Sequence, residues 1–424
     1  MKNYLASLLK YVYKLEGKIA FYPTFYSVIG LAFSFLTYRA ESLGFSQYLY
    51  ENLPQLIINS TDTALNILTT FIAGLISIMV FSFSMVMVLL NQASSNFSPR
   101  VLPGLISNKR HQKILGIYNA TLLYCIFTLV QIEPNQEKFQ LPGFSVLLAI
   151  GFMTVCLGAF IYFIHSISQE IQVNNIVLNI YKKAKNRLEK LIDSEKNNNQ
   201  NFPDTEDWNC YKTKTSGYMQ DVVLGVFLDF AKENDCKFEI VSIKGNFVFK
   251  DEILFKCNKQ LNEEQLEEVH SFFSFSSSQR IEDNYVLAFK QMTEIAVKSM
   301  SPGINDPGTA LICIDYLTQL FKIRLHKKDQ IVLCKEDVGF VKVNAVDFKS
   351  LLYSVITPIR TYSKHDIVVV LKLFTLLEQL NHKSKNNSYS KTIKQEAKTL
   401  YKDAKEAIKS ETDLAKLEDA FLKF

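Results

Sequence analysis

The sequence predicts a membrane protein: a four-helix α-helical transmembrane domain followed by a cytoplasmic α/β domain with a helical C-terminal part. Three observations carry that expectation. No charged residue interrupts the chain between Asp62 and Arg100. Further long apolar runs fall elsewhere in the first 165 residues, separated by short loops of contrasting charge. The rest of the chain is rich in charge and mixes helical with alternating periodicity, as a water-soluble region does.

These unlike halves average to a mean hydropathy of +0.05 over 424 residues, 48% of them hydrophobic. That length divides into roughly two or three folding units. A formal net charge of +5 suits a cytoplasmically oriented membrane protein and gives no reason to expect a nucleic-acid partner. The seven cysteines show no paired spacing, which predicts reduced thiols rather than a disulfide framework or a zinc site. The six histidines form no close pair on a helical face, so neither a metal nor another cofactor is expected. The first apolar run begins near Lys18 without a small-residue cleavage pattern, and no cleavable signal peptide is expected.

Residues 1–165 form the transmembrane domain, with spans at about 19–38, 62–90, 114–132 and 144–164. Residues 1–17 alternate basic and apolar positions, as an interfacial helix or a lead-in to the first span does. Pro23 sits in the first turn of that span, where proline is tolerated. The loop Ala40–Thr61 carries Glu41 and Glu51 but no lysine or arginine, whereas Arg100, Lys109, Arg110 and Lys113 follow the second span. Basic residues also precede the first span and follow the fourth. The positive-inside rule therefore places both termini in the cytoplasm, with two short loops outside.

The second span is the most informative stretch. As one helix from Asp62 to Arg100 it would reach about 57 Å, well beyond the bilayer core. Along it Thr63, Thr70, Ser77, Ser84, Asn91 and Ser98 recur every seven residues, with Thr69, Gly74 and Ser95 beside them. A seven-residue repeat holds one face of a helix in a constant direction with slow left-handed drift. Such a face serves helix packing, because small hydroxyl-bearing residues admit close approach. It serves equally as the wall of a water-filled pore shared by copies of the chain. The stripe alone does not choose between them.

Beyond the fourth span, Ile167, Ile171, Ile176, Ile180, Ala184, Leu188 and Leu191 keep helical spacing. Residues 166–207 are therefore read as a stalk helix continuous with that span, ending near Glu195, and an asparagine-rich linker. Residues 208–260 form a small α/β or β-sandwich-like subdomain: a helix over Gln220–Asn234, a strand over Lys237–Ile243, a turn at Gly245-Asn246, and a strand over Phe247–Cys257. Residues 261–424 are mostly helical: a short helix capped by Asn262 with Glu263 and Glu264 in its first turn, then helices at 284–300, 308–325, 347–361, 364–383, 388–409 and 411–422. The last two are lysine-rich and read as a solvated tail hairpin.

The run Ser301-Pro302-Gly303-Ile304-Asn305-Asp306-Pro307 separates two of those helices. Its prolines forbid a continuous helix, Gly303 permits an unusual backbone angle, and Asp306-Pro307 is an N-cap followed by an N1 proline. The plain reading is a rigid helix corner. The sharper one uses Ser301, Asn305 and the helix-start amides to hold a small anion, against which the charge of Asp306 counts. Arg280 and Asp283 stand one helical turn apart, a spacing more typical of a surface bridge than of a site.

The segments FSFSMVMVLLNQASSNFSPR, SGY at Ser216–Tyr218, GNFV at Gly245–Val248, Arg280 with Asp283, and IAVKSMSPGINDPGTA occur in this order. Together they resemble the bacterial membrane protein family catalogued as domain of unknown function 2254, over roughly residues 20–380. The resemblance implies a four-span inner-membrane protein with a cytoplasmic domain and supplies no catalytic residues. The GNFV…LFKC piece is also similar to the hairpin of biotinyl- or lipoyl-like domains. Asp251 and Glu252 stand where that pattern has a glycine, and no Met-Lys-Met lysine is present. No nucleotide-binding loop, hydrolase elbow or paired-histidine motif appears. The leading functional expectation is a homo-oligomeric channel or regulated pore lined by the second span, conducting ions. The second is a membrane-anchored scaffold or sensor of a small ligand. An enzyme ranks last, because no acid–base or nucleophile pair stands out.

Overall fold

The computed structural model describes residues 20–424 except 53, 56, 59, 97–108, 133–141, 171, 196–201, 277–280, 282–283, 337 and 385–388. The chain divides into two compact units, the first reaching to Gln172 and the second formed by Val173–Phe424.

The first unit is helical: α1 (Phe21–Ser42), α2 (Phe45–Asn52), α3 (Thr61–Asn96), α4 (Lys109–Val130) and α5 (Gly143–Glu170). Among the described residues, three stretches are long and apolar enough to cross a membrane: Thr61–Gln92, Lys109–Val130 and Gly143–Gln169. Helix α1 is not among them, because Tyr22, Pro23, Tyr26, Ser27 and Tyr38 dilute its apolar run. It is nonetheless packed closely on α4. A Cβ on Gly30 would lie 2.5 Å from the Ala120 carbonyl oxygen, and one on Gly116 would lie 2.9 Å from the Tyr26 ring. Small residues at such crossings let backbones touch where no hydrophobic force acts between helices.

The expected loop Ala40–Thr61 contains a helix, α2, entered through Gly44 at φ +78°. This turn brings Glu41 and Ser46 to the start of α5. Glu41 Oε1 accepts hydrogen bonds from the Ser145 amide (2.8 Å) and hydroxyl (3.0 Å). Ser46 Oγ accepts from the Phe144 amide at 2.9 Å and donates to Glu41 Oε2. A carboxylate and a hydroxyl from another segment thus satisfy the free first-turn amides of α5 and oppose its positive dipole end.

The fourth-span helix does not continue as one stalk. Helix α5 ends at Glu170 and a separate helix, α6 (Val173–Glu195), opens the second unit. Helix α6 buries Ile176, Val177, Ile180, Ala184 and Leu188. Each large aliphatic side chain so buried contributes about 1.5–3 kcal/mol, so this helix is part of a folded core.

The second unit holds two sheets and the remaining helices. Its strands are β1 (Asn209–Lys212), β2 (Gly217–Val222), β3 (Phe238–Ile240), β4 (Phe247–Val248), β5 (Ile253–Cys257), β6 (Phe273–Ser276), β7 (Gln330–Lys335) and β8 (Val338–Asn344). One sheet has the order β1-β5-β3-β8-β7 and the other β4-β2-β6. The β3–β8 pair is parallel, with Phe238 opposite Val341, so the larger sheet takes strands from both sides of residue 260. Helix α7 (Leu224–Glu233) sets Phe227 into an aromatic core, 5.0 Å from the Phe238 ring and 5.7 Å from that of Phe273.

Two expectations need correction here, and one element was not expected. Gln220–Val222 belong to a strand rather than to the helix read over Gln220–Asn234: Gly217 and Met219 alternate inward, and a bulge between Met219 and Asp221 turns Val222 into the same core. The stretch Phe247–Cys257 is two strands in different sheets, broken at Asp251 with φ 69°, so no carrier-type hairpin forms. The hairpin β7–β8 has no counterpart in the sequence reading.

Helices α8 (Glu263–Ser271), α9 (Tyr285–Ser299), α10 (Pro307–Arg324), α11 (Phe348–Ser363), α12 (Ile367–Lys383), α13 (Ser390–Ala407) and α14 (Glu411–Phe421) complete the unit. Helix α8 carries a capping box between Asn262 and Gln265. The lysine-rich tail pair is not merely solvated: α13 buries Ile393, Ala397, Leu400 and Ala404, and α14 buries Leu417. All seven cysteines are free thiols. Burial pushes Cys257 and Cys313 up to about 12, which keeps them protonated and unreactive.

Candidate functional site

Helix α3 has two opposite faces of different chemistry. Its inward face buries Ala64, Leu68, Leu75, Ser82 and Leu89, with Phe71, Ile78 and Met85 beside them. Those positions alternate at three- and four-residue steps, the spacing of a coiled-coil seam. The stripe lies on the other side. Thr63, Thr70, Ser77, Ser84 and Asn91 are all exposed, as are Asn66, Ala73 and Ser95 on the same side. Ser98 lies outside the described residues. Packing within the chain therefore does not explain the stripe: the inward seam does that work.

Three outward hydroxyls are satisfied locally. Thr70 Oγ1 donates to the Asn66 carbonyl (2.7 Å), Ser77 Oγ to that of Ala73 (2.9 Å), and Thr69 to that of Leu65. Back-bonded hydroxyls present an oxygen lone pair outward at no cost in unsatisfied donors. Large apolar side chains flank them, among them Val80, Phe81, Phe83, Met87 and Val88, all exposed. The outward side is thus a narrow polar line between apolar margins.

The corner 301–307 is exposed from Pro302 to Asp306. Asp306 is the N-cap of α10, accepting from the Thr309 amide (3.1 Å) and hydroxyl (2.6 Å). Ser301 Oγ donates to the Lys298 carbonyl at 2.6 Å. The Ile304 and Asn305 amides both bond the Ser301 carbonyl. The left-handed residue is Asn305, at φ 47°, whereas Gly303 does not take a positive φ, contrary to the role expected of it. Asparagine tolerates that region better than most residues. The cap carboxylate occupies the amide an anion would use. Arg280 and Asp283 lie outside the described residues.

One polar centre escaped the sequence reading. Arg324 is fully buried. Its Nε donates to Tyr285 Oη (3.1 Å), and its terminal nitrogens donate to the carbonyls of Lys327 and Val346 (2.7 Å each) and to Asp329 Oδ1. Asp329 also accepts from the Phe348 amide (3.1 Å) and Tyr389 Oη (3.0 Å). Beside it, buried Lys327 pairs with buried Glu195 at 3.0 Å, and Glu195 accepts from the Lys328 amide at 2.9 Å. Burial lowers the Lys327 pKa, although Glu195 opposes the shift. Burial raises Tyr389 to about 12, helped by its bond to Asp329. Positive and negative groups match in number and the Arg324 donors are engaged, so this cluster clamps α6, α9, α10, α11 and α13 together. The only signal in the sequence was an Arg and an Asp five residues apart, which surface helices show routinely.

No three His, Cys, Asp or Glu side chains converge on a metal-sized site among the described residues. Comparison with known proteins adds lineage. Uncharacterized proteins of Mycobacterium tuberculosis and Mycobacterium bovis are 22% identical to the chain over 446 aligned positions, covering 98% of it and 81% of each relative. No solved structure matches. The predicted membrane protein family designated domain of unknown function 2254 matches residues 16–379, and the chain belongs to that family.

Proposed function

We propose that the protein is a four-span, homo-oligomeric inner-membrane pore for ions, with the outward face of α3 lining its axis. One observation supports this reading: among the described residues, the polar line on α3 points away from its own bundle. Hydroxyls and amides directed at acyl chains gain nothing, whereas copies of the same helix around an axis give them water and one another. Helix α1, held against α4 through Gly30, is the fourth span in this reading. Both termini and the second unit lie in the cytoplasm, by the charge of the flanking segments.

The test is bulk on the stripe. Ser77→Leu and Ser84→Leu should leave the oligomer intact in detergent while abolishing or altering ion flux in proteoliposomes. Oligomers that dissociate, together with a wild-type protein that passes no ion, would assign the stripe to packing between subunits and favour a membrane-anchored scaffold or sensor. Topology is checked independently: an impermeant thiol reagent added from the periplasmic side should label Glu51→Cys but not Lys183→Cys.

A further inference from the structure

The register of the helices in the second unit brings together residues distant in sequence. Tyr181 of α6 meets Tyr316 of α10 at 5.1 Å, and Glu195 at the end of α6 meets Lys327 just past α10. Helices α6 and α10 therefore run parallel. Tyr181 stands about eight residues into α6 and Tyr316 about nine into α10, so at ~1.5 Å per residue the two helices start nearly level. Phe321 near the far end of α10 touches both Phe289 and Phe348. Helix α11 thus runs back towards the start of α10, and α9 ends there as well. Lys372 of α12 bonds Asp315 of α10 at 2.6 Å, which places the start of α12 at that same end.

One end of the unit therefore carries the first turn of α6, the corner 301–307 and the turn from Ser363 to Ile367. It is also the end at which the chain enters the unit, two residues in sequence after the apolar helix α5. Apolar side chains stand out into solvent on it: Ile304 is 37% exposed, Tyr362 49% and Val368 56%. Charges there oppose one another two against two, with exposed Lys364 and half-buried Lys298 against the cap carboxylates Asp306 and Asp366.

We propose that this end is a lipid-contacting face, seating Ile304, Tyr362 and Val368 in the headgroup region of the bilayer. Tyrosine favours that boundary, and apolar side chains beside it gain by burial at its acyl edge. The corner shaped by Pro302 and Asn305 then has a purpose beyond capping, which is to hold Ile304 outward at the level of the membrane surface. Balanced charge makes the contact apolar rather than electrostatic, so it does not require anionic lipid. The proposal is independent of conduction by α3.

The chain has a single tryptophan, Trp208, so a Trp208→Phe background is silent to tryptophan-selective excitation. In full-length protein in phosphatidylcholine nanodiscs, Ile304→Trp and Tyr362→Trp introduce reporters on the face. His326→Trp introduces one past the other end of α10, about 27 Å away by helix rise. With a nitroxide on the lipid headgroup, the first two should be quenched several-fold more than the third, unchanged by high salt. Equal quenching of all three would overturn the proposal, and quenching lost in high salt would replace it with an electrostatic contact. If Ile304→Trp fails to fold, Tyr362→Trp decides alone.

Discussion

The two units of this chain are built inside out with respect to each other. In the first, Val80, Phe83, Val130 and Ile161 face outward while Ser34, Ser82, Thr128 and Ser145 are buried. In the second, the interior is aromatic and aliphatic, and the charges that do enter it are closed into pairs and hydrogen bonds, as around Arg324 and Lys327 and between Glu239 and Lys342. The difference follows from the solvent each meets. Against lipid an apolar exterior costs nothing, and helices associate through small residues and interior hydrogen bonds. Against water the reverse holds, and a buried charge persists only when paired. The outward stripe of α3 breaks the rule of its own unit, which is why it is the functional candidate.

The largest test of this contrast is Lys327→Met. It leaves Glu195 buried with a single amide donor and should destabilise the second unit by about 3–5 kcal/mol, while the double variant with Glu195→Leu should recover much of the loss. Thermal unfolding of the full chain in detergent reads both. The sign of the pH effect is also fixed. Because the folded pKa of Lys327 is lowered, the unfolded chain binds its proton more readily, and stability rises with pH from the lowered value to the ordinary lysine value. Lys327→Met should flatten that rise.

How much of this was legible in the sequence depended on how local each signal is. The long apolar helices, the Asn262 and Asp306 caps and the helices of the C-terminal half were readable, because periodicity and capping act within a few residues. The β7–β8 hairpin was not, since β8 finds its parallel partner β3 about a hundred residues away, and strand pairing of that range leaves no local pattern. The α5–α6 break was hidden because apolar spacing continues across it. The Arg324 cluster draws on Tyr285, Asp329 and Tyr389 from separate elements. No spacing rule gathers them. The stripe was read from its seven-residue repeat, but only the packed bundle reveals that it faces away from its own chain.

The first unit's counterpart to the buried pair is close backbone contact. Gly30→Ala should cost about 1–3 kcal/mol, as overpacking does, because the added carbon meets the backbone of Ala120 rather than a side chain that can move. Gly151→Ala, with nothing within 4 Å of the new carbon, should be neutral. Equal effects of the two on thermal stability would show that α1 and α4 do not meet as described.

The smallest effects lie in the corner, where fold and lipid-facing roles separate. Asp306→Ala removes the acceptor of the Thr309 amide and should cost about 0.5–2 kcal/mol. Asn305→Gly should be close to neutral, since glycine takes a φ of 47° without strain. Gly303→Ala is the sharpest of the three: no atom lies within 4 Å of its new carbon and its φ is not positive, so stability should stay within about 0.5 kcal/mol of wild type. A loss well beyond that, measured in detergent where no bilayer surface is present, would mean that the corner needs glycine for a conformation other than this one. Normal stability in detergent with altered behaviour only in nanodiscs would instead place the need for glycine at the lipid surface.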